Sequence, residues 1–368
     1  MRMCLVTSVY IRTKKPPQWQ TAKCEHETRH SRSAKVHIAQ TKPYANTIVV
    51  VTEKPTKKKI RIFLKEFLSD PRVIEVPKLI WQIILRLIIL NLRPQKVAKL
   101  YKSIWKKKEG PLLVMLEKQK KGIKKILQKK IENVKVEIGM RYGNPNVKLG
   151  LEKLRKQKCR RILVLPLYPQ YCAVTTGSTF DKVTEVLRRW RWIPEIRFVN
   201  NYFENPLYID CLVKSIRDSW KKLGKSQKLI FSYHGVPKKY LLNGDPYHCF
   251  CQKTTRLVVE KMKLKKEEYI TTFQSRFGPE EWLKPYTDKT LKELPSKGIK
   301  KIHILSPGFS SDCLETLEEL EVENKENFIS SGGKKYNYIK CLNDDPQHLN
   351  MFAMLILKHT RGWPENNN

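Results

Sequence analysis

The stretch LIFSYHGVPKKYLLNGDPYH, residues 229–248, places one histidine, His234, where an apolar run breaks at a glycine. Imidazole titrates near neutrality, so it can take a proton or bind a metal. Gly235 lets a ligand or another backbone come close. A second constellation lies in SSDCLETLEEL, residues 310–320, where Asp312, Glu315 and Glu319 stand at i, i+3 and i+7. That spacing puts three carboxylates on one helical face, where they can pass protons or guide a cation. Both constellations also have plainer readings. His234 can tie a turn together, and Asp312 with Glu315 three residues later is a capping-box-like pair. One histidine and one carboxylate are too few ligands for structural zinc. The pair suits a divalent ion in transit, or a base that removes protons.

The elements that must hold these residues are legible as alternating strand and helix patterns. NTIVVV (46–51), VKVEIGMRYGNP (134–145), CRRILVLPLYPQ (159–170) and EIRFVNNY (195–202) read as strands. KLIFSYHG (228–235), EYITTFQSRFG (268–278) and KKIHILSPGFSS (300–311) continue the series. Between them lie helical stretches such as KKKIRIFLKEFLSD, with Ile60, Phe63, Leu64 and Phe67 on one face, and PLYIDCLVKSIRDSWKKLG. Such alternation predicts an α/β fold of two similar Rossmann-like lobes, each a parallel sheet flanked by helices, with a cleft between them. The expected division is a poorly ordered basic extension over 1–45, a first lobe over 46–190, a second over 191–345, and a C-terminal helix and tail over 346–368. Ligands in such sheets sit outside the carboxyl ends of strands. Arg141 and Tyr142, Tyr168 to Tyr171, His234, and Ser306 to Ser311 all fall at such ends.

The formal net charge of +38 usually points to nucleic acid or an anionic membrane. Here the excess lysine runs along the whole chain, as solvated faces would have it, so no specific nucleic-acid partner is expected. Nine cysteines at irregular spacing do not form a secreted disulfide framework, which favours a cytoplasmic location. LIWQIILRLIILNL, residues 79–92, contains Arg86 and is too short to span a bilayer. It is a candidate for peripheral membrane contact. Neither a P-loop nor a G-x-G-x-x-G fingerprint is present, and no G-x-S-x-G elbow.

Several ordered blocks resemble the ferrochelatase family, in its bacterial form without an iron–sulfur cluster. They are FLKEFLSDPRVIEVP, RPQKVAKLYKSIW, LPLYPQY followed by TTGST, FSYHGVPKKYLLNGDPYH, TFQSRFGPEEWLKPYTDKTL and SPGFSSDCLETLEELEVEN. The series covers roughly residues 50–360. The resemblance implies a lyase that inserts Fe(II) into protoporphyrin IX to form protohaem, the last step of haem biosynthesis. His234, in the S-x-H-G turn, and Glu315, in the D-x-x-E-T-L helix, would face each other across the porphyrin as the catalytic and metal-guiding pair. Asp312, Glu319 and Glu323 would continue an acidic track. Arg141 and Tyr142 match the family's step near the macrocycle, and Tyr171 and Thr175 lie in blocks expected to touch it.

Ferrous iron would be substrate, with no permanently bound cofactor. RGWPENNN carries no cysteine-rich tail, so no cluster is expected. The family's opening strand runs into a glycine turn, which TEKPT replaces here. Other readings are a chelatase for another tetrapyrrole or metal, and a catalytically decayed basic binding protein.

Overall fold

A computed structural model describes residues 6–11 and 55–366, apart from Val76, residues 106–109 and Glu132. Among these residues two four-stranded sheets form, flanked by helices. The first contains β1 (Val6–Ile11), β2 (Lys135–Gly139), β3 (Arg161–Pro166) and β4 (Glu195–Phe198), in the order β2-β1-β3-β4. The second contains β5 (Lys228–His234), β6 (Tyr269–Gln274), β7 (Lys301–Leu305) and β8 (Lys335–Tyr338), in the order β6-β5-β7-β8.

The second sheet is parallel throughout, as expected. Its inner strands read as continuous apolar runs because both faces are covered. Leu229, Ile230, Phe231, Ile302 and Ile304 are buried without remainder. The first sheet is mixed, which corrects the expectation of a parallel sheet there. β1 runs antiparallel to β2 and β3, while β3 and β4 are parallel. β1 lies between two strands whose inner edges would otherwise lack backbone partners. These six residues fall in the stretch expected to be a poorly ordered extension, so that expectation does not hold for them. The short VTSVYI run is rich in β-branched residues and is masked by the basic composition around it. The expected strand at 46–51 lies outside the described residues, as does most of TEKPT. β4 joins the first sheet beyond the expected lobe boundary at 190, because its backbone pairs with β3 from Arg161↔Glu195 onward.

Helix ends follow their sequence signals. Thr56 Oγ1 accepts from Lys59 N at 3.3 Å and starts the helix Lys57–Leu68, which buries Ile60, Phe63, Leu64 and Phe67 as its spacing predicts. Asn205 accepts from Leu207 N at 3.0 Å and Pro206 takes the first position of the helix Pro206–Leu223. The C-terminal helix Pro346–His359 packs on the helices Pro111–Leu127 and Pro206–Leu223. One continuous core therefore runs through both sheets, from Phe67 and Leu163 to Phe231 and Phe352. This core fixes the carboxyl ends of β5, β6 and β7 relative to one another.

Candidate active site

His234 is the last residue of β5 and pairs in register with Gln274, the last of β6. The chain must then leave the sheet. Gly235 N donates to Gln274 O at 2.8 Å. A Cβ on Gly235 would lie 2.8 Å from that same oxygen and 3.1 Å from the Trp282 ring, so only glycine makes this turn. The imidazole is 7% exposed, with Nδ1 2.6 Å from Gly235 O. Donation from Nδ1–H to that carbonyl selects the tautomer with its lone pair on Nε2. Tyr247 Oη donates to His234 O at 2.9 Å and fixes the strand end from the other side.

Opposite this strand end, the chain after β7 enters a π-helix, Glu315–Glu323. Its i→i+5 turns are wider than α turns, and such turns collect at functional sites. Glu315, Glu319 and Glu323 follow each other every four residues and grade outward. Glu315 is 1% exposed, Glu319 8%, and Glu323 is half-buried. Gln274 joins this helix to the histidine strand. Its Nε2 donates to Glu315 O at 3.0 Å and to Glu319 Oε2 at 3.4 Å, while its Oε1 accepts from Ser232 Oγ at 2.7 Å. Ser275 gives Glu319 two more bonds, from its backbone N at 2.8 Å and its hydroxyl at 2.5 Å.

Asp312 lies before the π-helix and is engaged elsewhere. Its Oδ1 accepts from Tyr338 Oη at 2.7 Å, Thr316 Oγ1 at 3.2 Å and Cys341 N at 3.2 Å, and its Oδ2 from Asn343 Nδ2 at 2.8 Å. The capping-box alternative does not describe it, since the carboxylate reaches no backbone N–H of the helix itself. Burial, and then the neighbouring Asp312, push the Tyr338 phenol well above its usual range.

Arg141 and Tyr142 are brought together with Asp70 and Ser178. Arg141 pairs with Asp70 and bonds Ser178 Oγ at 2.6 Å, and the Tyr142 phenol reaches Asp70 Oδ2 at 2.6 Å. Tyr142 packs edge-on against Phe67, with 5.0 Å between centroids, and burial pushes its pKa well up. This network pins the end of β2 to the helices Lys57–Leu68 and Ser178–Leu187. Thr175 is buried and donates to Cys172 O at 2.9 Å, while Tyr171 is half-buried, its phenol pKa raised by burial and then by Asp245. Sequence reasoning did not single out Gln274, Ser275, Asp70 or Asp245. Asp245 binds the two lobes: its carboxylate accepts from Ala173 N at 2.7 Å and from Tyr247 N at 3.0 Å. The G-D-P turn is the one signal that could have drawn attention to it.

Residues 52–360 match the family model described as Ferrochelatase. The chain belongs to the ferrochelatase family. It is 52% identical to the ferrochelatase of Thioalkalivibrio sulfidiphilus over 314 residues, covering 85% of each chain. It is 50% identical to that of Marinobacter nauticus over 315 residues, again covering 85% of each. With that of Pseudoalteromonas atlantica it shares 50% identity over 312 residues, 84% of this chain and 87% of the relative. All the candidate residues, from Arg141 to Glu323, fall inside the span that the ferrochelatase family model matches.

Proposed function

We infer that this chain is a ferrochelatase, inserting Fe(II) into protoporphyrin IX to give protohaem in the last step of haem biosynthesis. The observation that carries the reading is the link from His234 through Gln274 to the buried Glu315, in a chain that belongs to this family. Insertion exchanges one ferrous ion for two pyrrole N–H protons, so the site must present a metal and remove protons. The Nε2 lone pair of His234 can do either. Glu315 takes the protons in turn from the macrocycle side, both of them where His234 presents the metal, and Glu319 and Glu323 lead each outward along the π-helix. Among the described residues no group of three or more His, Cys, Asp or Glu side chains could hold a metal ion. Two weak ligands suit an ion that must be released to the porphyrin. No resident cofactor enters this reading.

The porphyrin lies over the ends of β3 and β5, with Tyr171 and Thr175 on the first-lobe side. Arg141 and Tyr142 support that wall through Asp70. Asp312 anchors the head of the π-helix and stands outside the proton track. We place the protein in the cytoplasm, with the apolar helix around Leu79 and Leu87 resting on a membrane surface. The test is anaerobic incubation of the purified protein with protoporphyrin and ferrous iron, followed by visible absorbance. Haem formed at a catalysed rate supports the reading. Porphyrin binding without metal insertion by the folded protein overturns it.

A further inference from the structure

Gln274 touches both halves of the candidate site. Its backbone carries the hydrogen bond that shapes the His234–Gly235 turn, and its amide spans from Ser232 on the histidine strand to Glu315 and Glu319 on the π-helix. It is almost fully buried, so these bonds do not compete with water. The next residue, Ser275, has φ +63°, a left-handed conformation that a side-chain-bearing residue adopts at a cost. That conformation aims both its N–H and its hydroxyl at Glu319. Backbone held this way at a functional site is kept there by its surroundings.

We propose that Gln274 and Ser275 are positioning residues for metal insertion: Gln274 sets the spacing between His234 and Glu315, and Ser275 fixes the carboxylate of Glu319 behind Glu315. The proposal rests on the reading of His234 and Glu315 as the reacting pair. Neither positioning residue touches the macrocycle in this scheme. Their loss therefore slows insertion without weakening porphyrin binding. A shift of one strut by an ångström misaligns the pair, and such misplacements cost up to about a hundredfold in rate.

Four variants test this. Gln274→Met keeps length and removes both polar ends, and Gln274→Glu replaces the donor with a carboxylate facing Glu319. Ser275→Ala removes the hydroxyl and keeps the strained φ, while Ser275→Gly removes the hydroxyl and accepts that φ. The expected result is a fall in kcat of about tenfold or more for both Gln274 variants, with the porphyrin KM unchanged within about twofold. Ser275→Ala and Ser275→Gly should lose kcat alike, because the lost bond and not strain is responsible. In a Glu319→Gln background, Ser275→Ala should cost little further, since the two act as one unit. Full additivity with Glu319→Gln, a change confined to KM, or a loss that tracks only the thermal midpoint would overturn the proposal. His234→Ala and Glu315→Gln serve as controls. If both retain turnover, the reading of the site fails. If both are inactive while the Gln274 variants keep the parent rate, the positioning proposal alone fails.

Discussion

Asp312 and Asn343 bond each other twice and in opposite senses: Asp312 N donates to Asn343 Oδ1 at 2.9 Å, and Asn343 Nδ2 donates to Asp312 Oδ2 at 2.8 Å. With Tyr338, Thr316 and Cys341 also donating to Asp312, its carboxylate ties the segment after β8 to the head of the π-helix. Removing it strands two donors on buried residues, Tyr338 and Thr316, and two half-buried ones, on Cys341 and Asn343. Asp312→Ala should cost about 3 kcal/mol, the scale of unsatisfied buried donors to a charged partner. The thermal midpoint should fall by several degrees while kcat of the folded fraction stays within about threefold of the parent. A variant as stable as the parent but slow in turnover would return Asp312 to the proton track.

His234→Ala should reduce metal insertion by about a thousandfold, the range for loss of a positioned proton acceptor. Porphyrin binding, followed by fluorescence quenching, should remain measurable, because one truncated side chain removes a small part of what a large flat ligand can touch. Insertion by the purified variant at near the parent rate would remove His234 from the chemistry.

Along the π-helix, the loss on neutralising each acid should follow its depth. Glu315→Gln should lower kcat by about a hundredfold or more, Glu319→Gln by less, and Glu323→Gln least. The order rests on the burial gradient from Glu315 to the half-buried Glu323. Equal, small losses at all three positions would mean that the row is a solvated helix face.

The sequence made some of these relationships readable and hid others. The strand ending in His234 was legible because Leu229–Phe231 form an apolar run that only a covered strand needs. The histidine's place at its end followed from Gly235. Gln274 and Ser275 were hidden: TTFQS reads as an ordinary polar strand end, and nothing local reveals that its amide crosses to another element. The π character of Glu315–Glu323 was hidden too, because the same leucines satisfy an α pattern. An α-helical reading of 312–319 therefore groups Asp312 with Glu315 and Glu319. β8, with its KYNY sequence, lacks the apolar run that marks a strand and is held by pairing with β7. β1 was lost in the basic stretch around it.

His348 gives a pH dependence outside the candidate site. It is fully buried on the helix Pro346–His359, its Nδ1 2.9 Å from Asn343 O, and burial lowers its pKa to about 4. In the unfolded chain histidine titrates near 6.5. Between those values the unfolded state binds a proton that the folded state refuses. Stability is therefore highest above about pH 6.5 and falls as the pH drops towards 4, by up to about 3 kcal/mol from this group. His348→Gln should flatten that part of the curve in chemical denaturation across the window. An unchanged slope would show that the imidazole is protonated in the fold.

The helices over 78–104 leave an apolar surface bare. Leu79 is 82% exposed and Leu87 68%, with Ile83, Ile88 and Leu92 also exposed, while Leu85 and Leu90 on the other side are buried. Single exposed leucines need no explanation, but six exposed aliphatic side chains within residues 79–92, Ile80 among them, do. No described helix is long and apolar enough to cross a membrane. The patch is fit to lie in the interfacial region, where each leucine transferred from water contributes about 1.5–3 kcal/mol. The chain's positive charge adds attraction to anionic headgroups. The parent should therefore co-sediment with vesicles containing anionic lipid, and retain part of that binding at high salt. Leu79→Glu with Leu87→Glu should abolish the salt-resistant part and leave turnover on dissolved porphyrin unchanged. If the double variant binds as the parent does, and salt removes all binding in both, the attachment is electrostatic and the exposed leucines face something other than lipid.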